Sequence, residues 1–348
     1  MRFGSFVEFS MAEGGDPAEA YAKAFSHVDM AEDLGLDTIC LAEFHFTPNR
    51  VISSPLMVGA AIAGRTKRIT IGTSVLVLPL SNPLRVAEEG ATLDHVSGGR
   101  FEFGVGRSGF QAAYQGYGIP YSESRDRFRE ALDVITMAWT NERFSYSGEY
   151  YSYENVCVVP KPVQSPHPPI RIAATTNETF PVNGQMGYPL LVGLRTVPLE
   201  GVTEQVASYK KAYKEAGHEA PMDVSLRIPV YIAEDREAAL TEPEESFMRQ
   251  FRRLQRRLVE DEQAGAGTAA EMRSERAASI ASMTWEDVQR EKVAVGTPEM
   301  VVEQLSKLRE ALHLTEVVAE FNAGELIPSE HIERSLQLFC EKVAPELR

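Results

Sequence analysis

The chain alternates between strand-like and helix-like hydrophobic periods along most of its length, and this alternation restricts the folds available to it. Eight segments read as buried or half-buried strands, and segments of helical period separate them. They are residues 2–9, 38–42, 69–78, 101–106, 169–175, 189–194, 224–233 and 316–321. Strands separated by helices predict parallel β/α units. Eight such units in 348 residues favour a single-domain TIM (β/α)8 barrel over residues 1–348, and a doubly wound sheet is the rival.

Two segments interrupt this alternation. Residues 145–168 are rich in tyrosine and proline and predict an extended hairpin and loop. Residues 241–292 predict a long helical insertion between the seventh and eighth strands. Its apolar stripe consists of Phe247, Phe251, Leu254 and Leu258. The A-G-A-G run at 264–267 is predicted to end that helix.

Five arginines lie on the opposite side of the same predicted helix. They are Arg249, Arg252, Arg253, Arg256 and Arg257. A solvated helix face is the ordinary explanation for such a stripe. The alternative is a mobile lid over an anionic cofactor, because long βα insertions on barrels often cover the active site. The sequence leaves both readings open.

Composition excludes several classes of protein. The chain is 43% apolar and 24% charged, which is ordinary for a globular domain, and its formal net charge of −15 argues against binding nucleic acid or an anionic membrane through the general surface. Cys40, Cys157 and Cys340 have no C-x-x-C spacing, so neither a zinc site nor a disulfide framework is predicted. No secretory signal and no apolar run of about 18 residues is found. We therefore expect a cytoplasmic protein without a membrane span.

Polar residues at the ends of the predicted strands are the first candidates for chemistry, because a βα barrel has its active site there. Glu43 and His45 follow the second strand two residues apart, so their side chains can point the same way. His45 can transfer a proton or donate a hydrogen bond. A structural histidine bonded to a carboxylate is the equal alternative. No second histidine or acidic cluster has ligand spacing, so no metal site is predicted.

A glycine motif follows the fourth strand. Residues 104–109, G-V-G-R-S-G, match the dinucleotide fingerprint G-x-G-x-x-G. We discount that interpretation because the motif is in the fourth βα unit and the residues after it are too glycine-rich to begin a regular helix. Instead, the glycines can let the backbone approach a ligand while Arg107 pairs with its phosphate. The alternative is a glycine-rich loop with a surface arginine.

A third candidate follows the fifth strand. Thr175, Thr176 and Asn177 precede a predicted helix start. Hydroxyls and free backbone N–H groups at such a place can bind an anion. Plain N-capping, which needs no ligand, explains the same residues equally well.

Several segments together resemble the bacterial-luciferase-like flavin-dependent monooxygenases, which have a TIM barrel fold. They are L-A-E-F-H-F (41–46), I-G-T-S-V (71–75), L-P (78–79) with N-P-L-R (82–85), D-H-V-S-G-G-R-F-E-F-G-V-G (94–106) followed by Arg107, S-R (124–125) and V-G-T-P (295–298). The resemblance extends from Arg2 to about Val343. It has least support across residues 241–292.

The resemblance implies a site for FMN, which is taken up reduced (FMNH2) from a separate flavin reductase. Reduced flavin would react with O2 to give a C4a-peroxide that oxygenates a small organic substrate. The implied cofactor-binding residues are Ser74, Val75, Gly106, Arg107, Arg125, Thr175 and Thr176. Among them Arg107, Arg125 and Thr175 would hold the phosphate, and the Ser74–Val75 peptide, cis in many relatives, would lie under the flavin ring. Glu43 and His45 match the family's catalytic motif.

One residue departs from that motif. The light-emitting members read E-H-H-F, and their first histidine serves the peroxide chemistry. Here Phe44 occupies that place and cannot exchange a proton, so we do not expect bioluminescence. Aromatic side chains would form the wall of the substrate pocket; they are Phe6, Phe44, Phe46, Phe110, Tyr114 and Tyr117. The resemblance also implies a homodimer.

Two other functions stay open. A relative using the deazaflavin coenzyme F420 would transfer a hydride without oxygen on the same fold, and oxygen consumption distinguishes the two activities. A barrel that binds flavin without catalysis would bind it tightly and turn over no substrate.

Overall fold

The structure is a computed structural model that describes residues 1–11, 14–263 and 268–348. All eight predicted strands form. They are β1 (Arg2–Val7), β2 (Thr38–Leu41), β3 (Thr70–Thr73), β5 (Phe101–Gly106), β8 (Ile170–Ala173), β9 (Leu190–Gly193), β10 (Val224–Ile232) and β12 (Glu316–Glu320). The predicted strand 69–78 is interrupted at Ser74 and resumes as β4 (Leu76–Val77). Every strand in this set is rich in buried residues, as the continuous apolar runs predict.

Helices lie between these strands and after the last one. They are α1 (Pro17–Asp33), α2 (Pro55–Arg65), α3 (Pro83–Ser97), α4 (Gln111–Gly116), α5 (Ser124–Thr140), α6 (Thr179–Met186), α7 (Leu199–Glu215), α8 (Arg236–Thr241), α9 (Glu244–Gln263), α10 (Thr268–Ala281), α11 (Trp285–Glu291), α12 (Pro298–Leu312), α13 (Ser329–Leu338) and α14 (Ala344–Leu347).

Local sequence signals explain where helix α3 begins and ends. The Asn82 side chain accepts the N–H groups of Leu84 and Arg85, and Pro83 occupies the first turn, where its missing N–H costs no hydrogen bond. Gly98 closes the helix at φ +68°, a left-handed conformation that glycine adopts without strain.

One compact unit comprises residues 7–32 and 37–173. Its strands β2, β3, β5 and β8 pair in that order, all parallel. The Trp139 indole of α5 packs edge-on against Phe103 of β5 and donates to the Ala87 carbonyl at 2.9 Å. The hairpin predicted within 145–168 is confirmed as antiparallel β6 (Phe144–Ser147) and β7 (Ser152–Val156).

The other unit comprises residues 1–6, 33–36 and 174–348. Its strands β9, β10, β12 and β1 also pair in that order and in parallel. A short strand, β11 (Ala294–Gly296), pairs with the C-terminal end of β10 and was not predicted.

The predicted insertion between the seventh and eighth strands is confirmed as α9, α10 and α11. Phe247 and Phe251 are fully buried in a cluster with Trp285 and Val288, and the remaining stripe residues, Leu254 and Leu258, are packed against it. The predicted helix break at 264–267 lies outside the described residues.

Contacts hold the first half of α9 to the loop after β12. Ser246 donates to the Ala323 carbonyl at 2.6 Å. Two of the five arginines predicted on one side of this helix also bind the loop: Arg253 pairs with Glu325 at 2.6 Å, and Arg249 donates to the Gly324 carbonyl at 3.2 Å. These arginines therefore have partners within the protein, while a lid role for the insertion stays a prediction.

One local prediction was wrong. Residues 111–116 do form a helix, α4, although we expected the glycines there to prevent one. The first four residues, Q-A-A-Y, are compatible with a helix, and the glycines lie only at its end, where they terminate it.

Candidate active site

Glu43 and His45 are brought together after β2. The His45 Nε2 lies 2.6 Å from Glu43 Oε1, and both side chains are less than a tenth exposed. The second carboxylate oxygen of Glu43 accepts the N–H of Val77 at 2.8 Å, so both oxygens have donors. The arrangement therefore presents an imidazole whose orientation is fixed by a buried carboxylate, a pairing that suits either proton transfer or a structural role.

The other ring nitrogen of His45 faces a tyrosine. Tyr117, next to the end of α4, has its hydroxyl 3.2 Å from His45 Nδ1, and the two rings meet edge to face at 5.1 Å. Tyr117 is 48% exposed. The ring of Phe46, which is 63% exposed, lies 5.4 Å from that of Tyr117.

The Ser74–Val75 peptide bond is cis, as the resemblance implied. Ser74 donates its N–H to the Leu41 carbonyl at 2.7 Å, which ties this segment to the end of β2. Gly106 lies against it: a Cβ at residue 106 would be 2.7 Å from Val75 Cγ2 and 3.4 Å from Ala173 Cβ. A glycine is therefore needed for this close approach.

Arg107 follows directly and points toward the start of a helix. It donates from Nη1 to the Ser124 hydroxyl at 3.3 Å, and Ser124 is the first residue of the 17-residue helix α5. The next residue is Arg125, whose side chain is exposed. The buried Tyr114 donates its hydroxyl to the Arg107 carbonyl and so supports the loop from beneath. The Arg107 guanidinium and the first residue of α5 thus lie together, an arrangement that can bind an anion.

The predicted aromatic pocket residues occupy different environments. Phe44 lies 6.3 Å from Phe110 and beneath the guanidinium of Arg50. Tyr114 is 1% exposed, so it supports the loop rather than standing open. Phe6, in the other unit, is covered by the Arg227 guanidinium at 3.2 Å from its ring centre.

The predicted threonines lie between β8 and α6. Thr175 is exposed, and the Thr176 hydroxyl is 2.7 Å from that of Thr179, the first residue of α6. Asn177 accepts a hydrogen bond from Gln205 at 2.6 Å. No side chain among these residues caps the backbone of α6, so plain N-capping gains no support.

Sequence reasoning missed a polar cluster on β10, β12 and α9. Glu320 accepts two hydrogen bonds from Arg227, at 3.0 and 2.8 Å, and one from Gln250 at 2.6 Å. All three side chains are largely buried. Arg227 and Glu320 are charged residues within otherwise apolar predicted strands, and this signal could have identified them as a buried ion pair.

Residues 1–11, 14–263 and 268–348 offer neither a metal site nor a membrane-spanning helix. No group of three or more His, Cys, Asp or Glu side chains there is arranged to hold a metal ion. No helix in the same part of the chain is long and apolar enough to cross a membrane.

Comparison with solved structures shows the fold. The oxygenating constituent of 3,6-diketocamphane monooxygenase from Pseudomonas putida, a type II Baeyer–Villiger monooxygenase solved with FMN, superimposes with a TM-score of 0.83 at 20% identity and covers 99% of this chain and 98% of its own. An F420-dependent secondary alcohol dehydrogenase, solved with an F420–acetone adduct, gives 0.75 at 17% identity, with 100% and 99% covered. The predicted eight-stranded TIM barrel is confirmed by these likenesses.

Sequence comparison shows the family. An uncharacterized protein of Sinorhizobium fredii, y4wF, is 34% identical over 179 residues, 51% of this chain and 52% of that protein. The chain thus spans about half the length of this relative and of a second one from the same organism. The profile of luciferase-like monooxygenases matches residues 1–314. This chain belongs to the luciferase-like monooxygenase family.

Proposed function

We propose that this protein takes up reduced FMN from a separate flavin reductase and uses it with O2 to oxygenate a small organic substrate. The observation that carries the proposal is the contact of Gly106 with the cis segment Ser74–Val75, one residue before Arg107. The missing side chain lets Val75, which would support the ring, pack against the end of β5 directly beside Arg107, and the Arg107 guanidinium suits the flavin phosphate.

The residues present fit a phosphorylated flavin. Arg107, which contacts Ser124 at the start of α5, would bind the phosphate, and Arg125 would add a second cation next to Ser124. Ser74 and Val75 would support the ring. When bound, reduced FMN supplies the reaction with O2, which no side chain can carry out alone.

The chain's own residues would orient the reactants and manage protons. His45, held by the Glu43 carboxylate at 2.6 Å, would give or take a proton at Nε2 or Nδ1. Phe44 and Phe110, whose rings lie 6.3 Å apart, would help exclude water from the reacting ring. A homodimer belongs to the proposal as a consequence of the resemblance, and a cytoplasmic location belongs to it as an expectation from the sequence.

A second candidate is hydride transfer by coenzyme F420 without oxygen. The similarity to an F420-dependent dehydrogenase favours it, and Phe44 in place of a histidine is compatible with it. Both coenzymes carry a phosphate on the side chain of a tricyclic ring system, so Arg107 alone does not separate them.

An anaerobic titration tests the proposal. The protein is titrated with reduced FMN and separately with reduced F420, and Arg107→Ala is compared with Arg129→Ala, an exposed arginine further along α5. We expect tighter binding of reduced FMN, weakened by about tenfold or more in Arg107→Ala and unchanged in Arg129→Ala. Equal affinity of wild type and Arg107→Ala would contradict the phosphate assignment, and a preference for F420 would favour the second candidate.

A further inference from the structure

Three side chains form a hydrogen-bonded series that begins at a buried carboxylate and ends at an exposed hydroxyl. Glu43 binds His45 Nε2 at 2.6 Å, and His45 Nδ1 lies 3.2 Å from the Tyr117 hydroxyl. The exposed fraction is 5% for the Glu43 side chain, 9% for that of His45 and 48% for Tyr117. Tyr117 is therefore the member of the series that a proton from outside meets first.

The chemistry of the partners decides which atom carries each hydrogen. The ionised Glu43 carboxylate can only accept, and its second oxygen already accepts the N–H of Val77. Nε2 of His45 must then donate to Glu43. A neutral imidazole protonated at Nε2 has a lone pair at Nδ1, so the Tyr117 hydroxyl donates to that nitrogen.

Packing holds the Tyr117 ring where this bond forms. The ring stands edge-on to His45 with an interplanar angle of 88° and also contacts Phe46. Phe46 in turn fills the space beside Gly116, where a Cβ would be 2.1 Å from the ring. His45 is the only histidine in residues 41–46, and Phe44 cannot exchange a proton. Proton transfer by this segment's aromatic side chains therefore depends on His45.

We propose that Tyr117 is a positioning residue that donates a hydrogen bond to Nδ1 of His45, whose Nε2–H tautomer Glu43 sets, and relays protons between His45 and the open side of the site. A proton that arrives at the hydroxyl oxygen is matched by transfer of the hydroxyl hydrogen to Nδ1. The products are an imidazolium held by Glu43 and a neutral tyrosine, and the reverse transfer restores the start; no electrons move. The use of this relay in catalysis rests on the proposed function, whereas its existence does not.

Nuclear magnetic resonance of the flavin-free protein tests the tautomer. Histidine is labelled with 15N in the rings, and the His45 signals are identified by their loss in His45→Gln. We expect Nε2 to carry the hydrogen and Nδ1 to show the shift of a hydrogen-bond acceptor. In Tyr117→Phe the Nδ1 signal should move toward that of an unbonded nitrogen, and in Tyr146→Phe, the same change in strand β6, it should not.

Hydrogen exchange separates a relay from simple shielding. If Tyr117 relays protons, protonation and deprotonation of His45 Nδ1, measured from the exchange broadening of its 15N signal, slow by about tenfold or more in Tyr117→Phe. If the tyrosine only covers the ring, exchange becomes faster. Faster or unchanged exchange, or an Nδ1–H tautomer in the wild type, overturns the proposal. Because no flavin is present, failure of FMN to bind would overturn the proposed function and leave this result intact.

Discussion

Gly106 approaches Val75 so closely that a Cβ on residue 106 would lie 2.7 Å from the valine Cγ2. The contact joins the end of β5 to the cis segment after β3. We expect Gly106→Ala to displace Val75 and to weaken reduced-FMN binding by about tenfold, because real Cβ contacts are longer than this. The readout is an anaerobic titration monitored by flavin fluorescence.

Gly64→Ala, in helix α2, is the control for that variant, since a Cβ there meets nothing within 4 Å. It should bind reduced FMN as the wild type does. Equal affinity of Gly106→Ala and Gly64→Ala would show that the contact with Val75 does not shape the flavin site.

Glu320 accepts hydrogen bonds from the Arg227 guanidinium, whose charge it neutralises, and from the buried Gln250 amide. Its removal would leave Arg227 and Gln250 without that partner. We expect Glu320→Ala to lower the free energy of unfolding by about 3–5 kcal/mol, as for other broken buried ion pairs. Urea denaturation measures the change.

Glu310→Ala, at an exposed site on α12, is the control and should change the unfolding free energy by less than about 0.5 kcal/mol. A similarly small effect at Glu320 would mean that the Arg227 pair adds nothing to stability.

Lys292 gives stability a pH dependence. Its side chain is buried and donates to the Val197 carbonyl at 2.8 Å, and burial lowers the pKa of Lys292 to about 8 from 10.5. Between these values the unfolded chain binds the extra proton, so the unfolding free energy should rise with pH there, by at most about 1.4 kcal/mol per pH unit.

Denaturant titrations at pH 8, 9 and 10 follow this slope. It should be lost in Lys292→Met and kept in Lys214→Met, an exposed lysine of α7. If the unfolding free energy of Lys292→Met rises with pH as steeply as that of the wild type, groups other than Lys292 cause the effect.

Gly324 lets α9 reach the loop after β12. It has φ +84°, and a Cβ there would lie 1.6 Å from the Ser246 carbonyl oxygen. We expect Gly324→Ala to separate these segments and to destabilise the protein by about 3 kcal/mol or more, with faster amide exchange in the first turns of α9.

Gly217→Ala isolates the backbone contribution, because Gly217 has φ +79° and open space around its missing Cβ. It should cost only about 1 kcal/mol. Equal effects of the two variants would mean that α9 accommodates the extra methyl group, as a loosely held lid would.

The sequence predicted what depends on local patterns. Continuous apolar runs identified the eight strands, and the insertion was correct because Phe247 and Phe251 follow a helical period. β11 was missed because three residues, A-V-G, carry too little pattern to be recognised.

Contacts between distant residues were beyond sequence reasoning. Glu43 and His45 are two positions apart and could be paired by spacing, but Tyr117 is 72 residues from His45. Arg227 and Glu320 are 93 residues apart, and only the parallel pairing of their strands brings them together. Such contacts require the register of the strands, which the hydrophobic pattern does not specify.

The most direct test of the account is the reaction of the reduced-FMN complex with O2. The protein is loaded anaerobically with reduced FMN and mixed with oxygenated buffer, while oxygen consumption and the absorbance of oxidised flavin are recorded. We expect oxygen consumption, with oxidised flavin appearing about tenfold or more slowly than from free reduced FMN, because the site shields the flavin from water. Arg107→Ala should behave like free flavin at the same concentration. Reoxidation at the rate of free FMN by the wild type, or turnover with reduced F420 that consumes no oxygen, would contradict it.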